Sequence, residues 1–245
     1  MKVGVSFCTN CGTSVSNPDL EIRKKSISTD FYTEEKITRV WLDFKPLLSL
    51  YSLLMLIIFI SYLIRDSNPA ITSTVWGAIT CLTIYFGNHY SNYLSDLFKF
   101  HKVPLKDVLQ ILFIAIFLFF FLKIYFYSFK VFHFNEIKIT GAIKKHHWPI
   151  WSAFILISVF PGILEEIIFR GIIYTKLKDI FEVKEALIIQ AACFSVMHLS
   201  PFIFISHFLM GLFLGFIREK TSTLYFSMLF HMAWNAYIVW GEIQK

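Results

Sequence analysis

The chain has 245 residues, is 56 % hydrophobic and 18 % aromatic, and carries only 16 % charged residues, a balance that excludes an ordinary soluble globular domain. Its net charge of +6 comes from 23 Lys and Arg against 17 Asp and Glu. Those charges sit mostly between apolar runs, so they read as topology signals; the folded basic face of a nucleic-acid-binding protein is missing, and no nucleic-acid partner is expected.

Residues 1–46 are polar and contain no short apolar core behind a basic start, so no secretory signal is expected there. They read as a soluble N-terminal appendage. It opens with FCTNCGTSVSNPD, where Cys8 and Cys11 stand at Cys-x2-Cys spacing and could supply two of the four thiolates of a tetrahedral zinc site. The stretch resembles the first knuckle of a short zinc ribbon and lacks the second. Zinc shared between two chains, which would make the knuckle an oligomer contact, zinc completed by another partner, and a decayed knuckle stay open. Residues 15–46 read as a charged, partly helical linker. Cys81 and Cys193 fall in apolar spans and are expected to behave as small core residues.

Apolar runs long enough to cross about 30 Å of hydrocarbon follow near 47–64, 70–86, 108–127, 148–174, 185–199, 201–217 and 224–240. The expected fold is therefore an all-α polytopic membrane bundle of about seven helices. Residues 47–147 read as scaffold, apolar nearly all round, with Lys123 near a helix end where it can snorkel. A cytoplasmic N-terminus places Lys36, Arg39, Lys45, Lys99, Lys102, Lys106, Lys176, Lys178, Lys184, Arg218 and Lys220 on the inner side. Lys130, Lys138, Lys144 and Lys145 oppose that orientation.

Residues 148–245 differ, because ionisable side chains enter the spans themselves. Charge at membrane depth needs a partner or a wet cavity, which makes Glu165, Glu166, Arg170, His198, His207 and His231 the functional shortlist. Within PGILEEIIFR, Glu166 and Arg170 stand four apart on one helix face and can pair. Glu165 points about 100° away and is left for proton transfer. Pro161 and Gly162 predict a kink one turn earlier, and irregular backbone at this depth is tolerated where it lines a water-filled cavity.

Depth can be estimated from helical rise. Glu165 lies roughly 16 Å from Lys176, His198 roughly 20 Å from Glu185 and His231 roughly 15 Å from Thr221, so all three reach mid-bilayer. Asn235 is one turn beyond His231 on the same face, and His207 comes out nearer the opposite membrane face. A carboxylate, two imidazoles and an amide can activate water and stabilise a tetrahedral oxyanion. Two His and one Glu are also a zinc-ligand set with an open position, so a reaction needing no cofactor and one needing Zn stay open. The plainer readings are a snorkelling Glu pair and interhelical histidine hydrogen bonds. Gly211 and Gly215 form a G-x3-G pair, read as close helix packing.

Glu-Glu-x3-Arg at 165–170, Phe-x3-His at 194–198 and His-x3-Asn at 231–235 occur in that order on successive apolar helices. The set resembles the CPBP family, which comprises CAAX-prenyl endopeptidases and bacteriocin-processing and self-immunity (Abi) proteins. The resemblance covers about two fifths of the chain. It implies an intramembrane endopeptidase of a microbial cell membrane, acting on a membrane-associated peptide or protein. By the same resemblance Glu165 would activate water, His198 assist, His231 and Asn235 stabilise the oxyanion, and Glu166 and Arg170 support the site. The alternative is a non-enzymatic immunity or peptide-binding protein using the same cavity. A proton-relay transporter is disfavoured because no repeat relates the two halves.

Overall fold

The structure is a computed structural model that describes residues 6–7, 14–15, 34–64, 68–131 and 139–244. Cys8 and Cys11, and the zinc and oligomer expectations attached to them, lie outside the described residues. The chain divides into two units, Met1–Pro46 and Leu47–Lys245. In the first, β1 (Ser6–Phe7) and β2 (Ser14–Val15) pair antiparallel, Ser6 opposite Val15.

Helix α1 (Glu34–Ile64) starts ahead of the expected boundary at 47 and carries Pro46 inside it. Its first turns, EEKITRVWLDFK, are rich in Glu, Lys, Arg and Leu, which lose little side-chain freedom in a helix. Asn68 caps α2 (Pro69–His89) by accepting the Ala70 amide at 2.9 Å, with Pro69 at the first helical position, where its missing N–H is harmless. The short α3 (Ser91–Leu97), α4 (Leu105–Val131) and the short α5 (Ile139–Lys145) follow. The long helix α6 (Trp151–Lys178) then leads into α7 (Val183–Met197), α8 (Phe204–Thr221) and α9 (Tyr225–Ile243).

By length and composition four helices can cross a membrane: Phe44–Ile64, Pro69–His89, Leu105–Ser128 and Trp151–Lys178. The expectation of seven spans is thus supported for four. Of the other three, α7 has 15 residues and a length of only about 22 Å, short of the hydrocarbon thickness. Helix α6 is the central one, with 61 % of its apolar window buried against 17 %, 17 % and 11 % for the others. Helix α4 instead turns Phe113, Phe117, Phe120 and Ile124 outward, an apolar face suited to lipid. Cys81 is also exposed on α2, so it is not the core residue its apolar context suggested.

At the expected kink in α6 the chain stays helical through Pro161, with wide π-type turns at Ile155–Val159, Pro161–Glu165 and Ile167–Ile173. The Phe160 amide donates to the Ile155 carbonyl and the Tyr174 amide to that of Phe169, each five residues back. Pro161 has no N–H to keep the usual ladder, and such turns are uncommon and concentrate at functional sites.

Small residues set the helix contacts around α6. A Cβ on Gly162 would run into the Met232 side chain, with the Met232 backbone at 3.1 and 3.2 Å, so Gly162 is there for the approach of α9 and not only for backbone freedom. Ser158 Oγ donates to the Met232 carbonyl at 2.6 Å in the same contact. Helices α7 and α8 form an antiparallel pair in which Gly211 lies on the Ala191 backbone and Gly215 on Gln190 and Leu187, the packing expected of G-x3-G. Leu118 and Leu122 of α4 cover α8 through Met210, Phe213, Leu214 and Ile217.

Candidate active site

The π-turns of α6 deliver two glutamates and an arginine into the protein. Glu166 and Arg170 are both fully buried, and Arg170 Nη1 donates to Glu166 Oε1 at 2.8 Å. Arg170 Nη2 donates to the Gly211 carbonyl at 3.2 Å, an acceptor it shares with Gln190 Nε2 at 2.9 Å. A guanidinium carries five donors in a fixed fork, so one side chain ties α6 to α8 while neutralising Glu166. Breaking such a buried pair strands a charge, which is why neither partner is replaceable alone.

His231 enters from α9 and meets the same carboxylate. Its Nδ1 lies 2.9 Å from Glu166 Oε1, and its Nε2 lies 3.9 Å from Glu165 Oε2, beyond hydrogen-bond reach. With Glu166 ionised by its arginine, His231 Nδ1 is the donor, and Nε2 is the nitrogen left to face Glu165. Glu165 is 8 % exposed, and its buried Oε2 has no hydrogen-bond partner among the described residues. Glu166 Oε1 is thus held by two donors, Arg170 and His231, while its Oε2, like that of Glu165, has no hydrogen-bond partner among the described residues.

The third element is α7. Phe194 is 1 % exposed and its ring is the centre of the cluster. The Arg170 guanidinium lies 4.4 Å over it, and the rings of His198, His231 and His207 stand 5.0, 5.9 and 6.2 Å away. His198 sits at the C-terminal cap of α7, where its Nδ1 donates to the Phe194 carbonyl at 2.8 Å and Nε2 stays open. Asn235 lies one turn beyond His231, half-buried, and makes no hydrogen bond to His231. The structure thus gathers Glu165, Glu166, Arg170, His198 and His231, and leaves Asn235 at a distance of one turn.

His207, on the functional shortlist but expected nearer the opposite membrane face, instead has its ring centroid 3.9 Å from that of His198. The reason is the shortness of α7 and the sharp reversal after it, with Leu199 at φ 49° and α8 beginning at Phe204. Pro201, four residues after the end of α7 at Met197, is the signal in the sequence for that turn. Gln190 is absent from the sequence shortlist, although a buried amide inside an apolar helix requires a partner, here the Gly211 carbonyl.

Among the described residues no three His, Cys, Asp or Glu side chains stand together as a metal-ligand group. The arrangement of two imidazoles and one carboxylate that zinc takes is not formed by Glu165, His198 and His231 in this structure.

Such a site, a buried carboxylate beside imidazoles on the inner helices of an apolar bundle, is of the class able to move protons at a reacting group. Residues 147–237 match the family described as type II CAAX prenyl endopeptidase Rce1-like, and all three motifs fall inside that match. The match covers well under half of the chain and supports its resemblance to the CPBP family, whose Rce1-like model describes proteases of the membrane. No curated protein and no solved structure matches the chain.

Proposed function

We propose that the protein is an intramembrane endopeptidase in which Glu165 activates water against a peptide bond of a membrane-associated substrate. The observation that carries this reading is the contrast between the two adjacent glutamates. Glu166 Oε1 accepts from both Arg170 and His231, whereas no hydrogen bond reaches Glu165 from the described residues; the buried Oε2 of each glutamate lacks a hydrogen bond, and that of Glu165 lies 3.9 Å from His231 Nε2. A buried carboxylate with an unengaged oxygen is suited to take a proton.

In the reaction, water gives a proton to Glu165 as its oxygen bonds to the carbonyl carbon of the substrate. His198, with Nε2 open, assists that water. The negative charge that develops on the carbonyl oxygen is met by His231 when its Nε2 carries a proton, and by the Asn235 amide once substrate draws it in. Collapse breaks the carbon–nitrogen bond, and the proton held at Glu165 passes to the leaving amine. The excess of Lys and Arg near one set of span ends supports a cytoplasmic N-terminus.

The test is a comparison of wild type and Glu165→Gln, purified from the same membranes. Mass spectrometry follows the membrane peptides that accumulate or disappear, with zinc content measured on both samples. Loss of a product peptide in Glu165→Gln supports the reading. An unchanged peptide inventory in a correctly inserted variant favours the non-enzymatic alternative, in which the cavity binds a peptide without cutting it.

A further inference from the structure

His207 belongs to none of the three motifs, and the reaction described above does not use it. Its surroundings are nevertheless those of a built site. The ring packs against His198 at a centroid distance of 3.9 Å, tilted by 48°, and both rings border Phe194. His207 Nδ1 lies 2.9 Å from the Ile203 carbonyl and 3.2 Å from Ser206 Oγ, while Ser206 Oγ itself donates to the Ile203 carbonyl at 2.8 Å.

A carbonyl oxygen can only accept, so Nδ1 of His207 carries the hydrogen, as Nδ1 of His198 does toward Phe194. The two imidazoles are thus locked in the same form by the carbonyl four residues before each, and each has Nε2 as its open nitrogen. They also flank the 199–203 turn from opposite sides, His198 ending α7 and His207 in the first turn of α8. His198 would otherwise be a terminal side chain on a turn, free to swing away from the site. The Phe194 ring beside it, 5.0 Å away, also carries the Arg170 guanidinium of α6 and borders the His231 ring of α9.

We propose that His207 is a positioning residue for His198: its carbonyl-anchored ring clamps the His198 imidazole against Phe194 and keeps His198 Nε2 turned to the reacting water. This rests on the endopeptidase reading for its effect on rate, and on the structure alone for its effect on His198. An imidazole suits the task because its Nδ1–H anchors the ring, where a phenyl group would offer the face without the anchor.

The test uses the full chain in lipid vesicles, as wild type, His207→Ala and His207→Phe. Cleavage of a farnesylated CAAX-type reporter peptide gives kcat and KM. Spectra of 15N-histidine-labelled protein, with His198→Asn used to assign the resonance, report which His198 nitrogen bears hydrogen. In His207→Ala, kcat is expected to fall about 10-fold at a KM within about twofold of wild type. The His198 signal is expected to change from a single Nδ1–H form to an averaged one, and His207→Phe to recover part of both. An unchanged His198 spectrum in His207→Ala overturns the proposal, whether or not the reporter is cut. So does a raised KM at constant kcat, which would make His207 a substrate contact. Failure of the endopeptidase reading itself would appear separately, as full activity of Glu165→Gln.

Discussion

Glu166 Oε1 and His231 Nδ1 lie 2.9 Å apart although 65 residues separate them in the chain. The same oxygen also accepts from Arg170 at 2.8 Å, so one buried atom joins the EE-x3-R and H-x3-N motifs and fixes which nitrogen of His231 faces Glu165. Glu166 thereby holds the cluster together, and Glu165 is the neighbour to which the proposed reaction assigns the proton transfer.

Glu165→Gln is expected to accumulate as wild type does while cleavage falls by about 10² or more, the usual contribution of a general base. Glu166→Gln is expected to lose both, since it leaves Arg170 buried against an uncharged amide. Equal accumulation of the two variants would refute this division of labour. Quantitative immunoblots of the membrane fraction beside peptide mass spectrometry measure it.

Arg170→Ala should destabilise the protein by about 3–5 kcal/mol, because it strands the Glu166 charge and frees the Gly211 carbonyl for Gln190 alone. Arg170→Lys should rescue poorly, since an ammonium cannot reach Glu166 and Gly211 in one plane while lying over Phe194. The double variant Arg170→Ala/Glu166→Gln should be less destabilised than the sum of the singles. Thermal unfolding in detergent distinguishes these outcomes.

Gly162→Ala adds a methyl group where Met232 packs, one residue after His231. Overpacking of this kind costs about 1–3 kcal/mol and should push α9 outward, carrying His231 away from Glu165. Cleavage is expected to drop well below the level that the loss in accumulation explains. Adding Met232→Ala should restore part of it, because the nearest atom belongs to that side chain; no recovery would show that the backbone approach sets the limit.

Phe194→Leu removes the ring beneath Arg170 and beside all three histidines. The lost cation–π contact alone is worth about 0.5–2 kcal/mol in a desolvated setting. The variant should unfold at lower temperature and cleave more slowly, even though Phe194 touches no reacting atom. Activity at the wild-type rate in folded protein would argue that the histidines hold their places without it.

The membrane class, the helical fold and the charged shortlist were readable from composition and spacing, because ionisable groups inside apolar runs are costly and stand out. Helix propensity and hydropathy are local quantities, so α2, α4 and α6 appear close to where their patterns place them. The pairing of Glu166 with Arg170 is local too, one turn apart on the same helix.

What distances along straight helices could not supply was the meeting of the helices. His207 joins His198 only because α7 is short and reverses at Leu199. Gly162 serves Met232, 70 residues later, and Phe194 becomes the common floor of three histidines. The sequence by itself determined which chemical groups are buried in the membrane and which one of the two glutamates has a partner on its own helix. Only the tertiary structure decided that His231 binds the paired glutamate and faces the free one, because that choice depends on how closely α9 approaches α6, a packing distance no local pattern encodes.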